Sequence, residues 1–485
     1  MPRRFLLLSA AALALTPAAA QQRARQLNPR DVAEAQRQHA PLVQELGGAE
    51  TGPRAAYVES VGRRVSVFSG VANPGQALRF TTLNSAVENA LSVPGGYVYV
   101  TRQLLGIMDD EAQLAFALGH EVGHIAANHA HAREAYSQRN NWMGVLGQVL
   151  GAVVGVNGLG NVISQRSRMQ TLSFSRDQEY QSDTLGMRYM INAGYDPAGA
   201  AGILGALSRA NAMETRMQGR TNRQTPEWAS THPLSENRRL RALREAQATG
   251  RLGTGVRNRD AFLAQIDGMY IDDDPAQGII DGPTFAHPDL RINFTVPPGY
   301  RMSNGTSAVS VSGSAGKAQF SGGRFGGPLE QYIMRVFQEL TRGQIQLAIP
   351  PVQRTTINGV PAAFTTARTQ SRSGMIDVTV VAYQWEPDRV YHFITITPGG
   401  SGAGVFTPMI NSLRKISVAE AAAIRPRIID VVTVRPGDTV QSLAARMAYR
   451  DYKVDRFLSL NGLAPSSLLA PGQKVKLVVY GQRRG

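Results

Sequence analysis

The sequence predicts a multidomain chain: a mainly α domain with a small β-sheet, then a small α+β domain, then a compact module in the order β-α-α-β. At 485 residues the chain is too long for a single hydrophobic core. Helical periodicity dominates up to about residue 250, and alternating apolar residues such as Ile292, Phe294 and Val296 follow it. The expected units are residues 1–20, 21–250, 260–418 and 428–482.

The first 20 residues have the pattern of a secretory signal peptide. Arg3 and Arg4 precede an apolar run from Phe5 to Leu15, and Ala18-x-Ala20 precedes Gln21. We therefore expect an exported protein. The chain contains no cysteine, which excludes disulfides and a lipid anchor at the cleavage site.

The net positive charge of the chain indicates which classes of partner to expect. The net charge of +15 becomes +13 (15 minus 2) when Arg3 and Arg4 leave with the signal peptide. An exported basic protein more readily meets anionic lipid, lipopolysaccharide or cell-wall polymer than nucleic acid. The chain also lacks the aromatic and basic pattern of single-strand binders, so we expect no nucleic-acid partner.

The pentapeptide HEVGH predicts a metal site on a helix that begins after Asp110, with Gln113 completing the N-cap signal. Positions four apart share a helix face, so His120 and His124 can direct both imidazoles at one ion. Two neutral nitrogens and one further protein ligand suit Zn²⁺ and leave a position for water, whose proton Glu121 can take. The alternative is a surface helix that happens to carry two histidines.

The third ligand is expected from a second helix. Ala127 and Ala130 stand where the metzincin pattern needs glycine and histidine, which excludes that pattern. A helix that begins after Ser175 instead carries Glu179 and Asp183 on one face. Glu179 would complete the site, and Asp183 would accept the second N–H of a ligand histidine. A solvated acidic face remains the alternative.

These residues resemble the zinc metallopeptidase family 48, which includes HtpX, the CAAX prenyl proteases and BepA. The matching segments, within about residues 30 to 245, are HEVGH, FSRDQEYQSD (174–183), NAGYDP (192–197), Asn89-Ala90, PGGY (94–97) and THPLSENR (231–238). The resemblance implies a mainly α, gluzincin-type protease domain. Ser182 replaces the alanine that usually precedes the aspartate, but it is also small.

The resemblance implies roles for residues outside the two helices. His232 would approach the zinc, either occupying its open position in a resting form or donating to the oxyanion of the tetrahedral intermediate. Arg238 would pair with Asp183. Residues 87–92, which include Asn89 and Ala90, would form a strand edge that offers backbone hydrogen bonds to an extended substrate, with ordinary hairpin structure as the alternative.

Three further segments of this domain carry expectations. His129 and His131 are expected to point off the ligand face, as structural or solvated residues. Residues 209–230 are polar and rich in arginine, which predicts a loop. Residues 142–163 are apolar and rich in glycine, which favours a packed hairpin or a flap over the cleft that contacts the membrane surface; a transmembrane span is the alternative.

Residues 260–418 predict an α+β domain without a catalytic constellation, because His287 and His392 are isolated. A Gly/Ser-rich loop at 303–327 is expected before an amphipathic helix at 329–340, and a hairpin is expected to turn at 386–388. Substrate positioning and partner binding both remain open as its role.

The last unit combines a strand, a PGD turn at 436–438, two helices and a strand that follows the PGQ turn at 471–473. It resembles a LysM module over residues 428–482. LysM modules bind N-acetylglucosamine polymers, so the resemblance implies peptidoglycan attachment. A degenerate module used only for packing is the alternative.

Together these expectations describe a periplasmic zinc endopeptidase, associated with the cell wall or membrane, with one Zn²⁺ per chain. Its expected substrates are polypeptides, above all misfolded or unassembled envelope proteins. Glu121 is the expected base, and His232 is a second candidate catalytic residue. The rival hypothesis is a periplasmic chaperone or scaffold bound to peptidoglycan, with a gated or structural metal site.

Overall fold

The computed structural model describes residues 24–130, 174–217, 232, 236–341, 347–371 and 374–483. The predicted signal peptide, the apolar segment at 142–163 and His131 lie outside the described residues. Among the helices that are described, none has both the length and the apolar character that crossing a bilayer requires.

The first unit is built from helices around a small sheet. Its described helices are α1 (Pro29–Glu45), α2 (Pro53–Ser66), α3 (Pro74–Ala77), α4 (Arg102–Ile107), α5 (Glu111–Ala127), α6 (Arg176–Asn192), α7 (Ala198–Met217) and α8 (Glu236–Ala248). Its strands are β1 (Arg79–Leu83), β2 (Ala90–Val93) and β3 (Tyr97–Thr101), in the spatial order β1-β3-β2. Strand β2 therefore lies at the edge of this described sheet.

The helices α5 and α6 begin where the sequence predicts. The side chain of Asp110 accepts the N–H of Gln113, and Ser175 forms a capping box with Gln178. The side chains from Glu111 to Ile125 are all buried, so α5 is a central helix of this unit rather than a surface one.

Glycine allows α5 and α6 to approach each other closely. A Cβ atom added to Gly186 of α6 would lie 2.8 Å from the main-chain nitrogen of His120, and one added to Gly123 would lie 3.3 Å from the Cα of Ser182. Larger side chains at these positions would separate the two helices. Glycine at positions 123 and 186 is therefore a packing requirement of this helix pair.

The α+β unit contains two antiparallel sheets. After α9 (Arg259–Ile266) and β4 (Tyr270–Ile271), its described strands are β5 (Ile279–Asp281), β6 (Thr284–His287), β7 (Ile292–Thr295), β8 (Arg301–Asn304), β9 (Ala308–Gly313), β10 (Gly316–Arg324), β11 (Gln353–Ile357), β12 (Val360–Ser371), β13 (Gly374–Glu386), β14 (Arg389–Pro398) and β15 (Arg414–Lys415). Their orders are β11-β12-β13-β14-β10-β9-β8 and β15-β7-β6-β5. Helix α10 (Leu329–Thr341) packs on β12 and β13, and α11 (Thr407–Ser412) packs on β7.

The Gly/Ser-rich stretch at 303–327 was expected to be a loop, and that expectation is wrong. It contains the end of β8 and all of β9 and β10. Val309, Val311, Ala318 and Phe320 are buried in the core of this unit, while the small polar residues occupy the alternate, more exposed positions of the strands.

The last unit has the predicted order of strand, helix, helix and strand. After α12 (Val418–Ala423) it comprises β16 (Arg427–Thr433), α13 (Val440–Ala445), α14 (Lys453–Asn461) and β17 (Lys474–Tyr480). β4 pairs with β16, giving the order β17-β16-β4. α9 also packs in the core shared by the first and last units. The predicted boundary at residue 260 therefore differs from the structure, in which residues 259–271 belong to this shared core.

Residues 209–230 were expected to form a loop. Residues 209–217 instead form the end of α7, and residues 218–230 lie outside the described residues. The arginines in this stretch contact the last unit: Arg209 Nε donates to the carbonyl oxygen of Ser459, and Arg216 pairs with Asp455. The polar, arginine-rich composition suggested a loop because the residues that these arginines contact are distant in the sequence.

Lys476 connects the last unit to the start of α5. Its side chain is fully buried, and its Nζ donates to the carbonyl oxygens of Met108 (2.6 Å) and Gly106 (3.2 Å). Nζ also lies 3.2 Å from Asp109 Oδ1. Asp109 directly precedes the N-cap residue of the helix that carries HEVGH. Strand β17 therefore stabilises the segment from which that helix begins.

Lys476→Met is expected to lower the free energy of unfolding by about 3 kcal/mol, because Asp109 loses its nearest buried cation. The matched control is Lys474→Met on the same strand. Lys474 pairs with the exposed Asp260, so its replacement should cost less than about 1 kcal/mol. Denaturant unfolding of the full chain measures both variants, and equal effects would contradict this role of Lys476.

Candidate metal centre

The structure brings the sequence-predicted residues of the two metal helices together. α5 carries His120, Glu121 and His124, and α6 carries Glu179 and Asp183. The segment before α8 adds His232, and α8 itself adds Arg238. All seven side chains are buried, with residue exposures of at most 4%.

Four of these residues place donor atoms around one point. The Nε2 atoms of His120 and His124 are 3.0 Å apart, and they lie 3.6 and 3.5 Å from the carboxylate oxygens of Glu179. His232 Nδ1 is 3.4 Å from His120 Nε2 and 3.0 Å from Glu179 Oε1. One such atom from each residue lies within 4.8 Å of all the others.

These separations fit a tetrahedral metal ion. Ligand atoms about 2.1 Å from Zn²⁺ lie about 3.4 Å from one another at tetrahedral angles, close to the observed spacings. Burial holds the pKa of His124 well below its usual range, which keeps a lone pair available. Burial tends to raise the pKa of Glu179, but His232 and Arg238 outweigh it, so the pKa is lowered and the group is a carboxylate.

Asp183 and Arg238 support the first ligand histidine. Asp183 Oδ1 lies 3.0 Å from His120 Nδ1, on the side of the ring away from the donor cluster. Arg238 donates to both oxygens of Asp183, at 2.8 and 2.6 Å, and its Nη1 lies 2.7 Å from Glu179 Oε2. Although burial favours the neutral acid, Arg238 holds the pKa of Asp183 far below its usual range. This carboxylate therefore fixes the His120 proton on Nδ1.

Glu121 lies beside the donor cluster. Ser92 Oγ, from the edge strand β2, donates to its Oε2 at 2.8 Å, and its Oε1 lies 3.4 Å from His232 Nε2. The sequence predicted Ser92 only as the end of the strand edge at 87–92, and not as a partner of Glu121. The available signal was a single hydroxyl within the apolar strand ALSV, which follows the Asn89 position.

A cavity of about 440 Å³ opens beside His124, and its lining includes Ser92, Val93 and Gly95. Ala90 is buried and is not part of this lining. The main-chain N–H and C=O of Asn89 already bond to Thr101, so they are not available to a peptide. The structure therefore places Ser92 and Val93, rather than Asn89 and Ala90, next to the cavity.

The expectation that His129 points away from the ligands is wrong. It is buried, and its Nδ1 lies 2.9 Å from His124 Nδ1. The helix ends at Asn128, whose left-handed conformation (φ 60°) turns the chain back toward the ligands. Phe174 was also missed; its ring stacks on His124 with centroids 3.8 Å apart. Asn128, which follows the last helical turn, was the residue in the sequence that could have indicated this change of direction before His129.

Two family models match this chain. Residues 53–247 match Peptidase family M48, and residues 432–478 match the LysM domain. The beta-barrel assembly-enhancing protease of Escherichia coli K12 is 30% identical over 190 residues, which cover 38% of this chain and 37% of the relative. The mitochondrial metalloendopeptidase OMA1 of Arabidopsis thaliana is 35% identical over 115 residues, covering 24% of this chain and 22% of the relative.

The similarity is confined to part of each protein. The chain spans little more than a third of the length of the bacterial relative. A solved structure from Bacteroides thetaiotaomicron overlaps 42% of this chain and 88% of its own at 13% identity, with a TM-score of 0.24, which is too low to assign a fold.

Proposed function

We propose that this chain, which carries a Peptidase family M48 domain and a LysM domain, is an exported zinc-dependent endopeptidase acting on cell-envelope proteins. The main support is the donor cluster of His120, His124 and Glu179 at tetrahedral spacing, with a carboxylate and an open cavity beside it. The bacterial relative is named a beta-barrel assembly-enhancing protease, which favours envelope polypeptides as substrates. The signal peptide, the membrane contact of residues 142–163 and the lack of a nucleic-acid partner stay predictions.

Each residue of the cluster has a distinct chemical task in this proposal. His120, His124 and Glu179 would hold one Zn²⁺, which when bound polarises the scissile carbonyl and acidifies water. Ser92 occupies Oε2 of Glu121 and leaves Oε1 directed at the cluster. Glu121 takes a proton from the attacking water and returns it to the leaving amine.

Glu121→Gln is expected to keep zinc but lower the cleavage of unfolded casein by about 10³-fold, because the amide cannot act as a base. The glutamine retains an oxygen for Ser92, so the packing should persist. Proteolysis assays and metal analysis of the purified chain measure the two effects. The control Glu59→Gln alters a partly exposed residue that is paired with Arg63 and should match the parent.

The same variant separates the protease from the scaffold hypothesis. Cells that lack the protein should not regain envelope function from Glu121→Gln if hydrolysis is required. Full rescue by this variant would favour the scaffold. Cleavage at the parental rate would instead show that Glu121 is not the base.

His232 is proposed to close the site in a resting form. Its Nδ1 lies within the donor cluster, and its Nε2 lies 3.4 Å from Glu121 Oε1. The imidazole therefore occupies the space that a water and a scissile carbonyl would need. Of the two roles that the sequence left open, this position favours a fourth ligand that withdraws before hydrolysis.

His232→Ala is expected to raise the basal hydrolysis of an unfolded protein several-fold, while zinc remains bound through the other three ligands. His287→Ala, a histidine of the α+β unit, is the control and should leave the rate unchanged. A large fall in kcat with normal zinc content would instead assign His232 to the oxyanion.

The last unit is proposed to attach the enzyme to peptidoglycan. Its buried side packs on the peptidase region through β16, α14 and Lys476. The β16–α13 loop (434–439) and the α14–β17 loop (462–473) lie mostly at the surface. Leu468 in the second loop is 93% exposed, a position that suits contact with a ligand better than packing.

Leu468→Asp is expected to weaken retention on purified peptidoglycan by about tenfold, because it removes an apolar contact of about 1.5 kcal/mol. Val418→Asp, at a 72% exposed position outside the module, is the matched control. These variants leave the Lys476 contacts intact, which deletion of residues 428–482 would not. Equal retention of Leu468→Asp and the parent would count against a contact at Leu468.

A further inference from the structure

The geometry points to His129 as a positioning residue for the second ligand histidine, acting through Nδ1 of His124 and itself oriented by Gln181. This inference rests on the zinc site proposed above. It concerns a residue that the sequence pattern assigned to structure or solvent.

The contacts form a chain that leads away from the donor cluster. His124 Nδ1 lies 2.9 Å from His129 Nδ1, and His129 Nε2 lies 2.9 Å from Gln181 Oε1. Ser182 Oγ lies 3.3 Å from His129 Nδ1, and Gln178 Nε2 donates to the His129 carbonyl at 3.1 Å. Helix α6, which supplies the Glu179 ligand, therefore also positions His129 against His124.

The donor and acceptor roles in this chain follow from the ligand geometry. To present the Nε2 lone pair to a metal, a neutral His124 must carry its proton on Nδ1. His129 Nδ1 must then accept that hydrogen bond, so the proton of His129 resides on Nε2. The amide oxygen of Gln181 is an acceptor and stabilises this tautomer of His129.

The two ligand histidines are thus supported in different ways. His120 Nδ1 lies 3.0 Å from a carboxylate oxygen of Asp183, which Arg238 holds in place, whereas His124 Nδ1 lies 2.9 Å from an uncharged imidazole. On its ring face, His124 is also covered by Phe174. The ring edge is fixed by His129, so loss of this acceptor frees the imidazole to turn away from the ion.

Two substitutions separate this role from ordinary packing. His129→Asn places a carbonyl oxygen two bonds from Cβ, where Nδ1 of histidine stands, and it can accept from His124. His129→Leu fills similar space without an acceptor. A packing role predicts that leucine is the better replacement, whereas a positioning role predicts that asparagine is.

The test is zinc affinity of the full chain, measured by competition with a chelator. His129→Leu is expected to bind zinc 10- to 100-fold more weakly, in the range typical for outer partners of metal ligands, and His129→Asn to remain within about threefold of the parent. With cobalt in place of zinc, the visible absorption bands should shift for leucine but not for asparagine. Parental affinity of His129→Leu, or equal losses in both variants, would overturn the proposal.

Circular dichroism of the zinc-free proteins tests whether each variant folds. If His129→Leu does not fold, Gln181→Leu tests the proposal instead, because this substitution removes only the acceptor of His129 Nε2. Its affinity should fall several-fold, and an unchanged affinity would refute the chain of contacts. If the parent itself binds no zinc, the proposed function fails; if the parent binds zinc and these variants do too, only this inference fails.

Discussion

The close approach of α5 and α6 is the constraint on which the metal centre depends. The ligand histidines lie on one helix and Glu179 lies on the other, so the distance between the helices sets the distance between donors. Gly186 has no room for a Cβ atom against the main chain of His120, and a Cβ atom added to Gly119 would lie 3.2 Å from the carbonyl oxygen of Gly186 on the facing helix. A methyl group at this contact would move the carboxylate away from both imidazoles.

The donor cluster also concentrates charged side chains in the buried space between the helices. Glu121, Glu179 and Asp183 are buried carboxylates, and Arg238 is the cation that contacts two of them. Burial disfavours a charged His232, but Glu179 and Glu121 outweigh it, so the pKa of His232 is raised and its imidazole can act as a second cation in the cluster. Buried charge without compensation is costly. A divalent cation among the donors would add positive charge beside these carboxylates, in agreement with the spacing of the ligand atoms.

Local sequence patterns predicted the structural features that depend on residues close together in the sequence. Helix geometry determines the N-caps of α5 and α6 and the four-residue spacing of the two histidines. These features could therefore be located from the sequence. The catalytic roles of the site residues stay predictions. His129 was misjudged because the left-handed Asn128 interrupts the helical period. The pairing of β4 with β16 and the helical end of α7 depend on partners more than 150 residues away, which no local pattern indicates.

The module that resembles a wall anchor is not joined to the peptidase by a free linker. Lys476 bonds to the segment that starts α5, and both units contribute to one core. A flexible tether would let a protease sample a volume set by linker length. Here the loops around Leu468 hold a fixed position relative to the donor cluster. If these loops bind the wall, substrate must come to the enzyme, and the cavity beside His124 faces a direction set by the fold.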